Sequence, residues 1–269
     1  MDMKKFPSFN FKKRLKSMLK VDFRRMFTMP FYYIMVGIAA VIPILILVMT
    51  TMMAGTESVD PVSGEVTIME QMFTNVWQAI GTIPGQNSGM VMDITTMCNI
   101  DMMFFAAAVL VCVFVGEDFR SGYSKNLFTV RSNKVDYVVS KTLLGFIGGI
   151  SMILAYFIGA LLGGAISNLS FELIGINAIN ILMCMLSKIF LVAVFVPIFL
   201  VMSIVGKQKI WLSMILAFGT SMLLFTMVSM ITPLNATIIN VILCFAGGLL
   251  FSIGIGSISN MLLKKRSIL

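Results

Sequence analysis

Six stretches of this chain are apolar without a break for about the twenty residues a helix needs to cross roughly 30 Å of hydrocarbon. No water is available there to bond a backbone N–H or C=O, so only helices and closed barrels cross. A barrel alternates apolar and polar residues in strands of about ten. These runs do not alternate, and the sequence specifies an all-α membrane protein. Composition agrees: 12% of the residues are charged and 58% are hydrophobic. A soluble domain carries about 25% charge, so this chain has too little polar surface to cover a globule in water.

The runs are Phe31 to Ala54, Asn99 to Gly116, Lys141 to Ile166, part of Phe171 to Gly206, Ile210 to Ile231 and Ala236 to Leu263. The fourth stretch would reach roughly 54 Å as a helix, too far for one crossing. Ile189 to Val205 suffices as the span, leaving Phe171 to Ser187 for an outer interfacial helix. Lys188 then falls at the outer boundary, with its stem in lipid and its ammonium in water. The alternative, Lys188 on a water-filled path, places a charge where insertion costs around 2.5–3.5 kcal/mol. Asp101 is the other ionisable group near a span end. The chain divides into an interfacial segment, 1–30, and a six-span domain, 31–269. The domain has an outer segment at 55–98 and a loop at 117–140.

Charge sets the expected orientation. Nine of the 20 Lys and Arg precede the first run and five lie from Arg120 to Lys141. Lys207 and Lys209 follow, then Lys264, Lys265 and Arg266. With six spans all of these face one side, and Lys188 alone is left over. No Lys or Arg lies between Met26 and Phe119. Basic loops stay in the cytoplasm, so both termini are expected there. The net charge of +8 answers to this topology, and no nucleic acid is expected as a partner.

Three further patterns are legible. Phe11, Leu15, Leu19 and Phe23, with Met18, Met26 and Phe27, share one helical face while the cations lie mostly off it. This is a basic amphipathic helix for the membrane surface, bent at Pro30 into the first span. Met69, Met72, Phe73, Val76, Trp77 and Ile80 recur at helical spacing and predict an amphipathic helix in the outer segment, a candidate lid or exit vestibule. Gly145 with Gly149, Gly159 with Gly163, and Ser252 with Gly256 have the small-xxx-small spacing of close helix contacts.

Catalytic signatures are absent. The chain has no histidine and no GxSxG or GxxxxGK[ST] motif. Its four cysteines lack zinc spacing, so neither a metal nor enzymatic activity is expected. The 25 methionines suit ordinary packing. Leu127, Phe128, Val130 and Val135 stand out as apolar residues in a charged loop. They suggest a short helix pressed on a surface, which a soluble ATPase would supply.

That loop, EDFRSGYSKNLFTVRSNKVDYVVSK from Glu117 to Lys141, resembles the loop after the second span in permeases of the ABC type-2 exporter class. In that class an acid ends the second span, then come a Gly-Thr or similar pair, a short amphipathic helix, and a Ser or Pro beside a basic residue. A Lys opens the third span. Glu117, Gly122 with Tyr123, Leu127 and Phe128, Ser132 near Arg131 and Lys134, and Lys141 stand at those places. Tyr123 departs from the commoner threonine. The form SGYSKN is most similar to small six-span permeases for peptides, bacteriocins or peptide antibiotics. The resemblance implies an ATPase-coupling loop made of Glu117, Asp118, Phe119, Arg120, Gly122, Tyr123, Lys125, Asn126, Phe128 and Arg131. It implies two copies of a separate ATPase that hold ATP and Mg, and a second permease, identical or homologous. It also implies a path lined by the second and fifth spans, an amphipathic or peptide cargo, and a bacterial plasma membrane. A stand-alone carrier or channel and a peptide-sequestering immunity protein are the alternatives.

Overall fold

The computed structural model describes residues 11–59, 66–68, 71–82, 98–130, 134–173 and 175–266. Eight α-helices account for most of them: α1 Phe11–Thr28, α2 Pro30–Met53, α3 Met103–Arg120, α4 Tyr123–Val130, α5 Val135–Ile166, α6 Ala178–Gly206, α7 Ile210–Ile231 and α8 Ile238–Arg266. Two three-residue strands, β1 Glu57–Val59 and β2 Val66–Ile68, pair as an antiparallel hairpin beyond α2. Among the described residues five helical segments are long and apolar enough to cross a membrane: Pro30–Met53, Ile100–Arg120, Val135–Ile166, Ala178–Gly206 and Ile238–Lys265. A sixth apolar stretch, Ile210–Phe225 in α7, is shorter. The chain is a multi-pass, all-α membrane protein.

Local chemistry sets the boundaries. Met29 adopts φ −77° and ψ 121° between α1 and α2, and Pro30 follows in the first turn of α2. A proline there sacrifices no helical hydrogen bond, because that N–H has no partner in the helix. The short helix Ile100–Met102, capped by the Asn99 side chain on the Asp101 N–H at 2.9 Å, leads into α3.

Helix α6 is the hub, packed on α3, α5, α7 and α8, with α2 outside α5 and α8 outside α6. Small residues allow the close approaches. A Cβ at Gly159 would meet the Ala40 carbonyl and Pro43 of α2, and one at Gly163 would lie 2.8 Å from the Ile44 Cα. One at Gly145 would lie 2.6 Å from Val196, and one at Gly149 2.5 Å from Val192, both on α6. The Ser252 hydroxyl of α8 donates to the Ala193 carbonyl of α6 at 3.1 Å. The outward sides of α2, α7 and α8 stay apolar; Met49, Leu223, Met227, Leu250 and Ile253 are all more than half exposed. A lipid environment satisfies them, since it is as apolar as they are.

One end of the bundle gathers α4, the end of α3, the turn between α6 and α7, and the end of α8. Helix α1 lies against α5 at that same end. We call it the basic face. The opposite, far face carries the segment 71–82, whose Thr82 carbonyl accepts from the Leu234 N–H at 3.1 Å in the turn between α7 and α8.

Two expectations are corrected. The outer segment forms no amphipathic helix through its described residues 71–82. A four-residue 3₁₀ turn, Val76–Ala79, stands there instead, capped by Asn75 and Gln78. Phe73, Val76 and Ile80 are nonetheless fully buried, with Val76 seated against Gly164 of α5. Docking on α5 satisfies the apolar pattern without helical backbone. Met69 lies outside the described residues. Second, Phe171 to Ser187 is not a separate interfacial helix: 171–173 is non-helical, and α6 begins at Ala178 and continues through Lys188.

Candidate functional site

The basic face holds a buried knot of charge that joins three helices. Helix α1 contributes Asp22 and Arg25, α3 contributes Asp118, and α5 contributes Lys141, Ser140 and Tyr137. Asp22 and Asp118 are fully buried and Lys141 is 2% exposed. The Lys141 ammonium lies 3.0 Å from Asp22 Oδ1 and 2.6 Å from Asp118 Oδ2. Arg25 lies 2.7 Å from Asp118 Oδ1. The Ser140 hydroxyl donates to Asp22 Oδ2 at 2.6 Å, and the Tyr137 hydroxyl to Asp118 Oδ2 at 3.2 Å. Each carboxylate oxygen therefore lies beside a cation or a hydroxyl donor, Asp118 Oδ1 by ion pairing with Arg25 without a hydrogen bond, and two acids balance two cations. Such closure is what makes buried charge tolerable, because desolvating an ion costs several kcal/mol unless partners replace its water.

Aromatic rings finish the enclosure. The Phe114 ring lies 4.2 Å from the Lys141 ammonium, and the Tyr123 ring 4.2 Å from the Arg25 guanidinium. Burial works against the Arg25 charge, yet Asp118 and Asp22 hold its pKa above the ordinary value. Burial, aided by Asp22 and Asp118, also raises the Tyr123 phenol. Both groups thus keep one charge state near neutral pH. A second pair, Arg14 with Asp136 at 3.0 Å, fastens the start of α1 to α5.

Helix α4 hangs from this knot. Gly122 takes φ +74° at the corner after α3, a conformation glycine adopts without strain. Phe128 meets the Tyr137 ring edge-on at 5.3 Å, and Leu127 packs on the same core. Phe128 and Leu127 thus press on the chain's own bundle. Lys125, Asn126 and Thr129 are left exposed.

The expected site residues separate accordingly. Glu117 is partly exposed and pairs with Arg120 at 3.6 Å, while Asp118 is sealed inside. Phe119 is partly buried, and Arg131 lies outside the described residues. On α1, Leu19 and Phe23 pack on the core, Leu15 is half-buried, and Phe11 is exposed. Lys12, Lys13, Lys16, Lys20 and Arg24 point to the surroundings. Sequence reasoning missed Asp22 and the pairing role of Arg25. The signal was present: Asp22 is the only acid in α1, and it falls within the apolar stripe.

On the far face the expectation for Lys188 is overturned. Its ammonium is not in water; the residue is fully buried and donates to Asp101 Oδ1 and, at 3.1 Å, to Thr232 Oγ1. Thr232 in turn donates to the Val228 carbonyl at 2.8 Å. Because α6 starts at Ala178, Lys188 sits more than two turns inside that helix and faces the bundle instead of solvent. The group ties α3, α6 and α7 together at their far ends.

Comparison with family models, curated proteins and solved structures gives no match for this chain.

Proposed function

We propose that the chain is the membrane-spanning permease subunit of an ATP-binding-cassette exporter of the type-2 class. Helices α2, α3, α5, α6, α7 and α8 are its six spans, and both termini lie in the cytoplasm of a bacterial cell. The observation that carries this reading is α4, a separate eight-residue helix held beside the ends of α3 and α5 by its Tyr123 ring on Arg25 of the knot and its Phe128 ring on Tyr137. A helix clamped to two spans by charge and rings moves with them, as a coupling element must. Its exposed Lys125, Asn126 and Thr129 offer a polar surface to a soluble ATPase, which brings the ATP and Mg. Two such ATPases serve two permeases, and the cargo, an amphipathic or peptide molecule, passes between them.

The test is to co-express the chain with a Walker-A ATPase encoded beside its gene. Lys125→Glu with Asn126→Trp is expected to lower ATPase recovery with the purified permease about ten-fold or more, because a like charge and a bulky ring oppose docking. The melting temperature of the permease alone should be unchanged. Undiminished ATPase recovery overturns the coupling role. A second reading, a stand-alone carrier driven by an ion gradient, draws support from the buried Asp101–Lys188 pair, since charges inside a bilayer often mark ion paths. The double variant Asp101→Asn with Lys188→Met separates the two. It abolishes gradient-driven uptake in a carrier and leaves cargo-stimulated ATP hydrolysis in an exporter.

A further inference from the structure

The basic face is open where α6 ends and α7 begins. A cleft of about 940 Å³ lies there between the end of α3, α4, the Gly206–Lys209 turn and the end of α8. Phe119, Phe128, Val205, Leu212 and Leu263 give it apolar walls. Arg120, Lys125, Lys207 and Lys209 also line it, and among the described residues no acid does. Arg120 has Glu117 nearby at 3.6 Å. Among the described residues Lys125, Lys207 and Lys209 have no carboxylate in ion-pair range. The charge balance of the buried knot is therefore not repeated here, although the two sites are neighbours.

Depth and shape narrow the ligand. Gly206 ends a 29-residue apolar helix, so the turn after it lies where hydrocarbon gives way to headgroups. Trp211, 61% exposed two residues beyond the turn, marks the same level. Leu212 of the cleft wall is followed on α7 by Ile215, 59% exposed, so the apolar lining continues onto the lipid-facing side of that helix. A small inorganic anion would leave those walls bare. We propose that the cleft binds the phosphate headgroup of an anionic phospholipid, whose acyl chains run along the exposed face of α7. The proposal rests on the membrane placement alone and does not depend on the exporter reading.

The test uses the full chain in nanodiscs, with Trp77→Phe leaving Trp211 as the single fluorescent reporter. Brominated phosphatidylglycerol is expected to quench Trp211 with an apparent affinity about five-fold or more above that of brominated phosphatidylcholine, given how strongly each basic residue draws an anionic leaflet. The preference should vanish in Lys125→Gln/Lys207→Gln/Lys209→Gln and persist in Lys12→Gln/Lys13→Gln/Lys16→Gln. Equal quenching by the two lipids overturns the site, as does a preference that survives the cleft variant. A preference abolished by inorganic phosphate assigns the cleft to a soluble phosphate. One abolished by a polyglutamate peptide assigns it to an acidic protein segment. Either result overturns the lipid proposal. Should the triple variant fail to insert, native mass spectrometry of the unmodified chain decides. Retained phosphatidylglycerol that phosphatidylcholine cannot displace supports the site, and free exchange overturns it.

Discussion

At the scale of residues, a buried ion is defined by what remains when its partner goes. Removing Lys141 alone strands Asp22 and Asp118 with only Arg25 between them. Lys141→Met is expected to destabilise the detergent-solubilised chain by about 3–5 kcal/mol in SDS titrations followed by circular dichroism. Adding Asp22→Asn leaves Arg25 paired with Asp118, so the double variant should recover more than half of that loss; strict additivity would show that the knot does not act as a unit. These contacts were not legible in the sequence. Asp22 and Lys141 are 119 positions apart, and nothing local to either announces the other. What could be read was the anomaly, one acid in the apolar stripe of a basic helix. Lys188 misled for a related reason. Its burial depends on Asp101 and Thr232, 87 and 44 positions away, and nothing local to Lys188 announces either.

Elements were more legible than contacts, because length and periodicity are properties of the chain itself. The apolar runs from Phe31, Lys141, Ile210 and Ala236 lie close to the helices α2, α5, α7 and α8, and the helix over 11–27 and the short helix within 117–140 both form. The outer helix fails because periodicity says which side chains turn inward, not what backbone carries them. The small-xxx-small pairs give a sharper element-scale prediction. Gly159→Leu must push α2 away from α5, since its Cβ would collide with the Ala40 carbonyl, which cannot swing aside as a side chain can. A loss of at least about 2 kcal/mol is expected by the same titration. Gly37→Ala on α2 meets nothing within 4 Å and should be neutral or slightly stabilising. Gly122→Ala, forced to a positive φ, is expected to cost about 1 kcal/mol and to loosen α4, seen as faster proteolysis at Lys125.

For the whole molecule, the shared face of α1, α4 and the end of α8 makes a statement about sidedness that labelling can check. A cysteine at Lys12 and one at Lys265 should react with an impermeant maleimide only from the side that does not label a cysteine at Glu57. Labelling of Lys12 and Lys265 from opposite sides would require an odd number of crossings and undo the six-span reading. The seating of α1 bears on how the molecule is made. Synthesis delivers this helix before α3 and α5, so Asp22 has only its own neighbour Arg25, at 3.9 Å, until Lys141 has been made. For those 119 residues α1 waits on the membrane surface by its lysines and its apolar stripe, and it locks down only after α3 and α5 have been inserted. An early piece of the chain is thus fastened late, a clasp that closes over α3 and α5 once both are in place.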